Sequence, residues 1–179
     1  MSEFDNHDLL GNIYLVGPMG SGKSTVGKRL AQVLEYEFVD SDREIEQKTG
    51  VSINHIFDVE GEVGFRKREE SAIRTLTKKT GFVLATGGGS ILSAENRHLL
   101  NNTGLVIYLK TSVEAILERT SRDKCRPLLQ TENPRKTLQN LMQQRESLYQ
   151  QVAHYTIETD NKNATTVADE IVDSIGKTN

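Results

Sequence analysis

The chain predicts an α/β architecture: a five-stranded parallel sheet with helices on both faces. Three observations carry this. Five short apolar runs, each suited to a buried strand, alternate with stretches of helical periodicity. A glycine-rich loop joins the first run to the first helix. The 179 residues, 36% of them apolar, contain no internal repeat and no linker-like stretch, which fits one domain over 1–179.

The elements follow in order. NIYLV (12–16) is the first strand, and Val26, Leu30, Val33 and Leu34 then recur at helical spacing. YEFVD (36–40) is the second strand. A charged, mostly helical segment follows, broken at Gly50 and Gly61. FVLAT (82–86) is the third strand and runs into three consecutive glycines. Ser93 suits the N-cap of a helix through Leu100. GLVIYLK (104–110) is the fourth strand, and Thr111 with Glu114 makes a capping-box pattern for a helix over 112–120. SRDKCRPLLQTEN (121–133) has no period and reads as a loop or lid. Asn133-Pro134 then suits N-cap and N1 of a helix to about Val152. HYTIET (154–159) is the fifth strand. Val167, Ile171 and Ile175 mark a last helix, with Gly176 at its end.

Composition excludes several classes of function. Lys+Arg is 22 against Asp+Glu 25, a net charge of −3, so bulk charge favours neither nucleic acid nor an anionic membrane. One cysteine, Cys125, rules out an internal disulfide. The four histidines are scattered, without an i, i+4 pair to hold a metal. No apolar run approaches the roughly 18 residues of a membrane helix, and MSEFDNHDLL lacks a signal-peptide profile. A soluble, cytoplasmic protein is the expectation.

GPMGSGKST (17–25) matches G-x-x-x-x-G-K-[ST] through Gly17, Gly22, Lys23 and Ser24, between a strand and a helix. Such a loop turns backbone N–H groups toward phosphate oxygens, and the helix N-terminus adds partial positive charge. Lys23 would reach the β- and γ-phosphates, and the Ser24 hydroxyl would bind Mg²⁺. A GTPase needs a guanine-reading Asn-Lys-x-Asp; the nearest stretch, NKNA (161–164), has Ala164 instead of the aspartate.

Ligands of parallel sheets bind beyond the carboxyl ends of the strands, here at 17–25, 40–42, 86–90 and near 110 and 160. Asp40 and Asp42 follow the second strand, expected beside the phosphate-loop strand, and share one side if the chain is extended. One could hold Mg²⁺ through water and the other orient an acceptor hydroxyl. Asp42 equally suits a helix N-cap. Arg66 and Glu69 are i, i+3 on a helix, and Arg145 and Tyr149 are i, i+4 on another. Arg126 precedes Pro127 in the aperiodic loop. Arginine suits bidentate capture of carboxylate or phosphate, although a single one is usually just solvated.

GPMGSGKST, DSD (40–42), FRKRE (65–69), TGGGS (86–90), RPLL (126–129) and RESLY (145–149), in this order from about Asn12 to Ile175, resemble the shikimate kinase family. The resemblance implies a three-layer P-loop kinase fold, like that of nucleoside monophosphate kinases, with a core at 12–40, a substrate-binding insert at 41–80 and a lid at 120–133. It implies transfer of the ATP γ-phosphoryl group to the 3-hydroxyl of shikimate with Mg²⁺, by a monomer.

On that resemblance, Gly20, Ser21, Gly22, Lys23, Ser24, Thr25, Arg119, Arg126 and Lys162 serve ATP. Ser24 and, through water, Asp40 serve the metal. Lys23, Asp42 and Arg126 serve the transfer. Asp42 holds the ring hydroxyls, Arg66 and Arg145 grip the carboxylate, Glu69 fixes Arg66, and Phe57 and Phe65 line the ring pocket. Gly87, Gly88 and Gly89 leave room for the acceptor ring, with Gly88 and Gly89 offering N–H groups. The chain departs from the family pattern at Ala164, where a proline is common, and at Cys125, where a basic or small residue is common. Other candidates are another small-metabolite kinase such as a gluconate kinase, a nucleotide kinase, or a non-catalytic P-loop switch.

Overall fold

In the computed structural model of the chain, residues 11–121 and 131–176 are described. Five parallel strands form one sheet: β1 (Asn12–Val16), β2 (Glu37–Asp40), β3 (Phe82–Ala85), β4 (Gly104–Lys110) and β5 (Tyr155–Glu158). Their order is β2-β3-β1-β4-β5. β1 lies at the centre and is buried along its whole length, which is why it reads as an unbroken apolar run. Its residues alternate between the two faces. Ile13 and Leu15 enter one core, Tyr14 and Val16 the other.

Helices α1 (Lys23–Leu34) and α7 (Ala164–Gly176) cover the first face, through Val26, Leu30, Val167 and Ile171. The C-terminal part of α3 (Ile53–Leu76), with α4 (Ala94–Thr103) and α6 (Pro134–Val152), covers the second, through Ile73, Leu76, Leu100, Tyr149 and Val152. Helix α5 (Val113–Thr120) packs over the loop after β1: a Cβ at Gly20 would lie 3.1 Å from Thr120 Cγ2 and 3.3 Å from Ile116 Cγ2. Among the described residues no helix is long and apolar enough to cross a membrane.

Helix α2 (Ser41–Thr49) ends at Gly50 in the left-handed region (φ 72°), as expected from its sequence. Gly61 breaks α3 as expected, with φ 67° and ψ −174° inside the helical span. The two helices bury a small core of their own, Ile45, Ile56, Phe65 and Ala72. Ser93 caps α4 and Asn133 caps α6, each accepting from a backbone N–H three residues on.

The structure corrects the expected place of β2 and the cap of α5, and adds two details. β2 is an edge strand separated from β1 by β3, not its neighbour. Val33 is 41% exposed, because α1 needs only the stripe Val26, Leu30 and Ala31 to meet the sheet. The N-cap of α5 is Ser112, which accepts from the Ala115 N–H at 3.1 Å. Thr111 is still buried at the end of β4, where its hydroxyl meets that of Thr159 at 2.7 Å. A short 3-10 turn, Ser90–Leu92, follows the triple glycine.

Candidate active site

The loop after β1 winds through three glycines of positive φ, Gly17 (149°), Gly20 (73°) and Gly22 (93°), the last being the N-cap of α1. Left-handed backbone is readily adopted only by glycine, so the loop's shape follows from its sequence. Lys23 Nζ donates to the carbonyls of Gly17 and Pro18, each at 2.8 Å. The lysine thus lies across the loop that would hold phosphate.

Asp40, at the end of β2, binds with both carboxylate oxygens. Oδ1 caps α2, accepting from the N–H of Asp42 at 3.0 Å and of Arg43 at 3.4 Å. Oδ2 accepts from Ser24 Oγ at 2.8 Å. The aspartates are therefore not two projections from one extended strand. Asp40 is the cap, in place of Asp42, and Asp42 turns into the first helical turn. The Ser24–Asp40 pair is a set of hard oxygen donors beside the phosphate loop. No cluster of three His, Cys, Asp or Glu exists among the described residues. That combination fits Mg²⁺, which keeps several waters and takes phosphate oxygens instead of an all-protein cage.

The acceptor side forms around Gly87. A Cβ there would meet Glu69 Oε1 at 2.7 Å and Asp42 Oδ1 at 3.1 Å, so two carboxyl groups from different helices converge on one glycine. Both of these oxygens are buried and lack a hydrogen-bond partner among the described residues. Burial and the neighbouring Asp40 push the Asp42 carboxyl up to about 6, with Lys23 and Arg66 opposing. Burial pushes Glu69, fully enclosed, up to about 7 against the pull of Arg66. Arg66 Nη1 donates to Glu69 Oε2 at 2.7 Å, as the i, i+3 spacing predicts, and Nη2 to Glu62 Oε1 at 3.2 Å.

The space left by the missing side chains is thus already filled. A Cβ at Gly89 would lie 2.2 Å from Arg66 Nη2, and one at Gly88 would lie 3.3 Å from the Met19 N. The three glycines thus set how near these groups come to the loop backbone. They let Asp42, Glu69, Arg66 and the phosphate loop come close to the β3 backbone. The ring of Phe65 packs into the small core with the Arg66 guanidinium 5.2 Å away, while Phe57, 4.7 Å from Phe65 between ring centroids, is half-exposed. Arg145 on α6 hydrogen-bonds the Tyr149 phenol, and its charge, after that of Arg66, favours the ionised form of Glu69.

A second cleft, about 180 Å³, opens beside the phosphate loop, lined by Ser21, Gly22, Thr25, Arg119, Lys162 and Ala164 among others. Arg119 is anchored there by the Thr159 carbonyl at 2.6 Å and the Gly20 carbonyl at 3.3 Å. Lys162 Nζ pairs with Glu170 at 2.7 Å. The expected nucleotide residues on this side are brought together, whereas Arg126 and Cys125 lie outside the described residues. Sequence reasoning assigned no role to Tyr149, Thr159 or Ser41, whose hydroxyl accepts from the Gly87 N–H at 3.0 Å. The RESLY motif was the available signal for Tyr149 and DSD (40–42) for Ser41; Thr159 carries none.

A phosphate loop at the centre of a parallel sheet, with a separate carboxyl- and arginine-lined wall after the adjacent strand, defines a P-loop kinase. The model of the shikimate kinase family matches residues 19–176. A shikimate kinase of Vibrio parahaemolyticus is 58% identical over 161 residues, 90% of this chain and 94% of that protein. The shikimate kinase of Acinetobacter baumannii, solved in complex with shikimate, superposes with a TM-score of 0.92 at 55% identity, covering 95% of each chain. A gluconokinase from Sinorhizobium meliloti, at 15% identity and a TM-score of 0.56, shares the fold alone. This chain belongs to the shikimate kinase family.

Proposed function

We propose that this chain transfers the γ-phosphoryl group of ATP to the 3-hydroxyl of shikimate, giving shikimate 3-phosphate and ADP. The observation that carries the reading is the convergence of Asp42, Glu69 and Arg66 on the glycine loop, apart from the nucleotide cleft. A hydroxylated ring acid needs one carboxylate for its hydroxyls and cations for its own carboxylate. Family membership supports the same choice.

Phosphoryl transfer asks for positioning and charge neutralisation more than covalent help. Lys23 would exchange its loop carbonyls for the phosphate oxygens. Asp42 would orient the acceptor hydroxyl and take its proton. Arg66, held by Glu69, and Arg145 would fix the acceptor's carboxylate. Residues 41–80 would serve as the acceptor-binding insert; the lid expected at 120–133, with Arg126, falls mostly outside the described residues. Ser24 and Asp40 would hold Mg²⁺, Asp40 through water, and the ion would offset phosphate charge. The cleft along Arg119 and Lys162 would take the adenine side.

A coupled assay of ADP release, offering shikimate, gluconate and nucleoside monophosphates in parallel, tests this. Turnover confined to shikimate is expected. Turnover only with gluconate or a nucleotide overturns the acceptor, and no turnover with any acceptor overturns the kinase reading.

A further inference from the structure

The Gly88–Gly89 peptide has no side chain of its own to steer it, and a diglycine peptide rotates with little steric penalty. Its carbonyl is nevertheless held. Tyr149 Oη on α6 donates to Gly88 O at 2.5 Å. The preceding peptide is held in the same manner, Gly87 O accepting from Ser90 Oγ at 2.8 Å and from Ser90 N at 3.0 Å. In a trans peptide the N–H points opposite to the carbonyl, and no cis peptide occurs among the described residues. Holding the two carbonyls therefore sets the directions of the Gly88 and Gly89 N–H groups.

Tyr149 is well placed to do this. Its ring is buried and stacked on Tyr108, with centroids 5.1 Å apart and planes at 17°. Its hydroxyl is engaged on both sides, donating to Gly88 and hydrogen-bonding Arg145. Burial pushes the phenol up to about 12, so it keeps the proton it donates. Gly88 in turn packs on the phosphate-loop backbone at Met19 and Gly17.

On the shikimate kinase reading given above, we propose that Tyr149 is a positioning residue. Its hydroxyl latches the Gly88–Gly89 peptide in the orientation that offers the Gly89 N–H to the acceptor, and ties that orientation to Arg145. Nothing in the ring itself is required beyond its packing; removal of one oxygen releases both Gly88 and Arg145, and the glycine amide signals report the Gly88 latch by itself.

Tyr149→Phe keeps the ring and its stacking. The measurements are KM for shikimate, KM for ATP, the melting temperature, and amide spectra of ¹⁵N-glycine-labelled enzyme during shikimate titration. The expected result is a shikimate KM at least about 5-fold higher, with an unchanged ATP KM, a melting temperature lower by only the several degrees that one lost hydrogen bond costs, and a weakened response of the Gly89 amide. A shikimate KM within about twofold of wild type overturns the proposal. So does a parallel rise in both KM values, which would mark a general structural role. Failure of the functional reading shows separately, as wild-type enzyme that does not turn over shikimate, and it removes this inference too.

Discussion

Ser24 Oγ donates to Asp40 Oδ2 at 2.8 Å, joining the first turn of the phosphate-loop helix to the end of an edge strand. The hydroxyl of the P-loop and a carboxylate two strands away thus form one oxygen-donor pair. No carboxylate follows β3, where the chain instead continues as Thr86 and three glycines. On the proposed function, metal support beside the phosphates would rest on this pair.

Asp40→Asn separates the metal role from the capping role, since asparagine caps helices as well as aspartate. The Mg²⁺ concentration for half-maximal activity should rise about 10-fold, the usual effect of an outer-sphere partner. The melting temperature should stay within a few degrees of wild type. Metal titrations of the two enzymes check this, and identical titration curves would remove Asp40 from the site.

Asp42→Asn should lower kcat by about 100-fold or more, the scale of a lost general base, while the KM for ATP changes little. Asp42 reaches Gly87 alongside Glu69, which is nearer but is tied to Arg66, and Asp42 is not part of the phosphate loop. Steady-state kinetics decide, and a near-normal kcat would take Asp42 out of the chemistry.

Gly89→Ala tests the close approach of Arg66. The native backbone there (φ −100°, ψ 2°) suits alanine, so the effect is steric and not conformational. A Cβ would lie 2.2 Å from Arg66 Nη2 and 2.7 Å from its Cζ. Displacing one charged hydrogen bond to the acceptor should raise the shikimate KM about 10-fold or more, with ATP KM unchanged. An unaltered shikimate KM would show that Arg66 does not bind the acceptor from this position.

Glu69 makes stability depend on pH. Its folded value, about 7, lies above the ordinary carboxylate value of 4.5, so the folded state binds the proton more tightly. That contribution is fully present below the unfolded value and is lost as pH rises through the folded one. The melting temperature should therefore fall between about pH 5 and pH 8. Glu69→Gln should flatten this slope, and an identical slope in the variant would assign it to other groups.

Much of this molecule was legible as sequence where the governing physics is local. The strand β4 and the helix α6, with Asn133 as cap and Pro134 at N1, fall where their residues predict. Gly50 and Gly61 interrupt the helices as expected, because left-handed backbone belongs to glycine. Errors cluster where a residue has two local options. Thr111 and Ser112 can both cap α5, and burial of Thr111 against Thr159 decides for Ser112. Asp40 and Asp42 can both cap α2, and Asp40 takes the role while also holding Ser24.

The sequence alone determined the phosphate loop, the parallel α/β class and the residues that bear charge at the site, since these follow from backbone sterics and side-chain chemistry within a few positions. Only the tertiary structure decided that β3 lies between β2 and β1, and that Asp42, Glu69 and Arg66 crowd the triple glycine. It also decided that Tyr149, 61 residues from Gly88 along the chain, closes on that loop. Such contacts join segments far apart in the chain, and their geometry is set by how helices pack on the sheet, which no local pattern encodes.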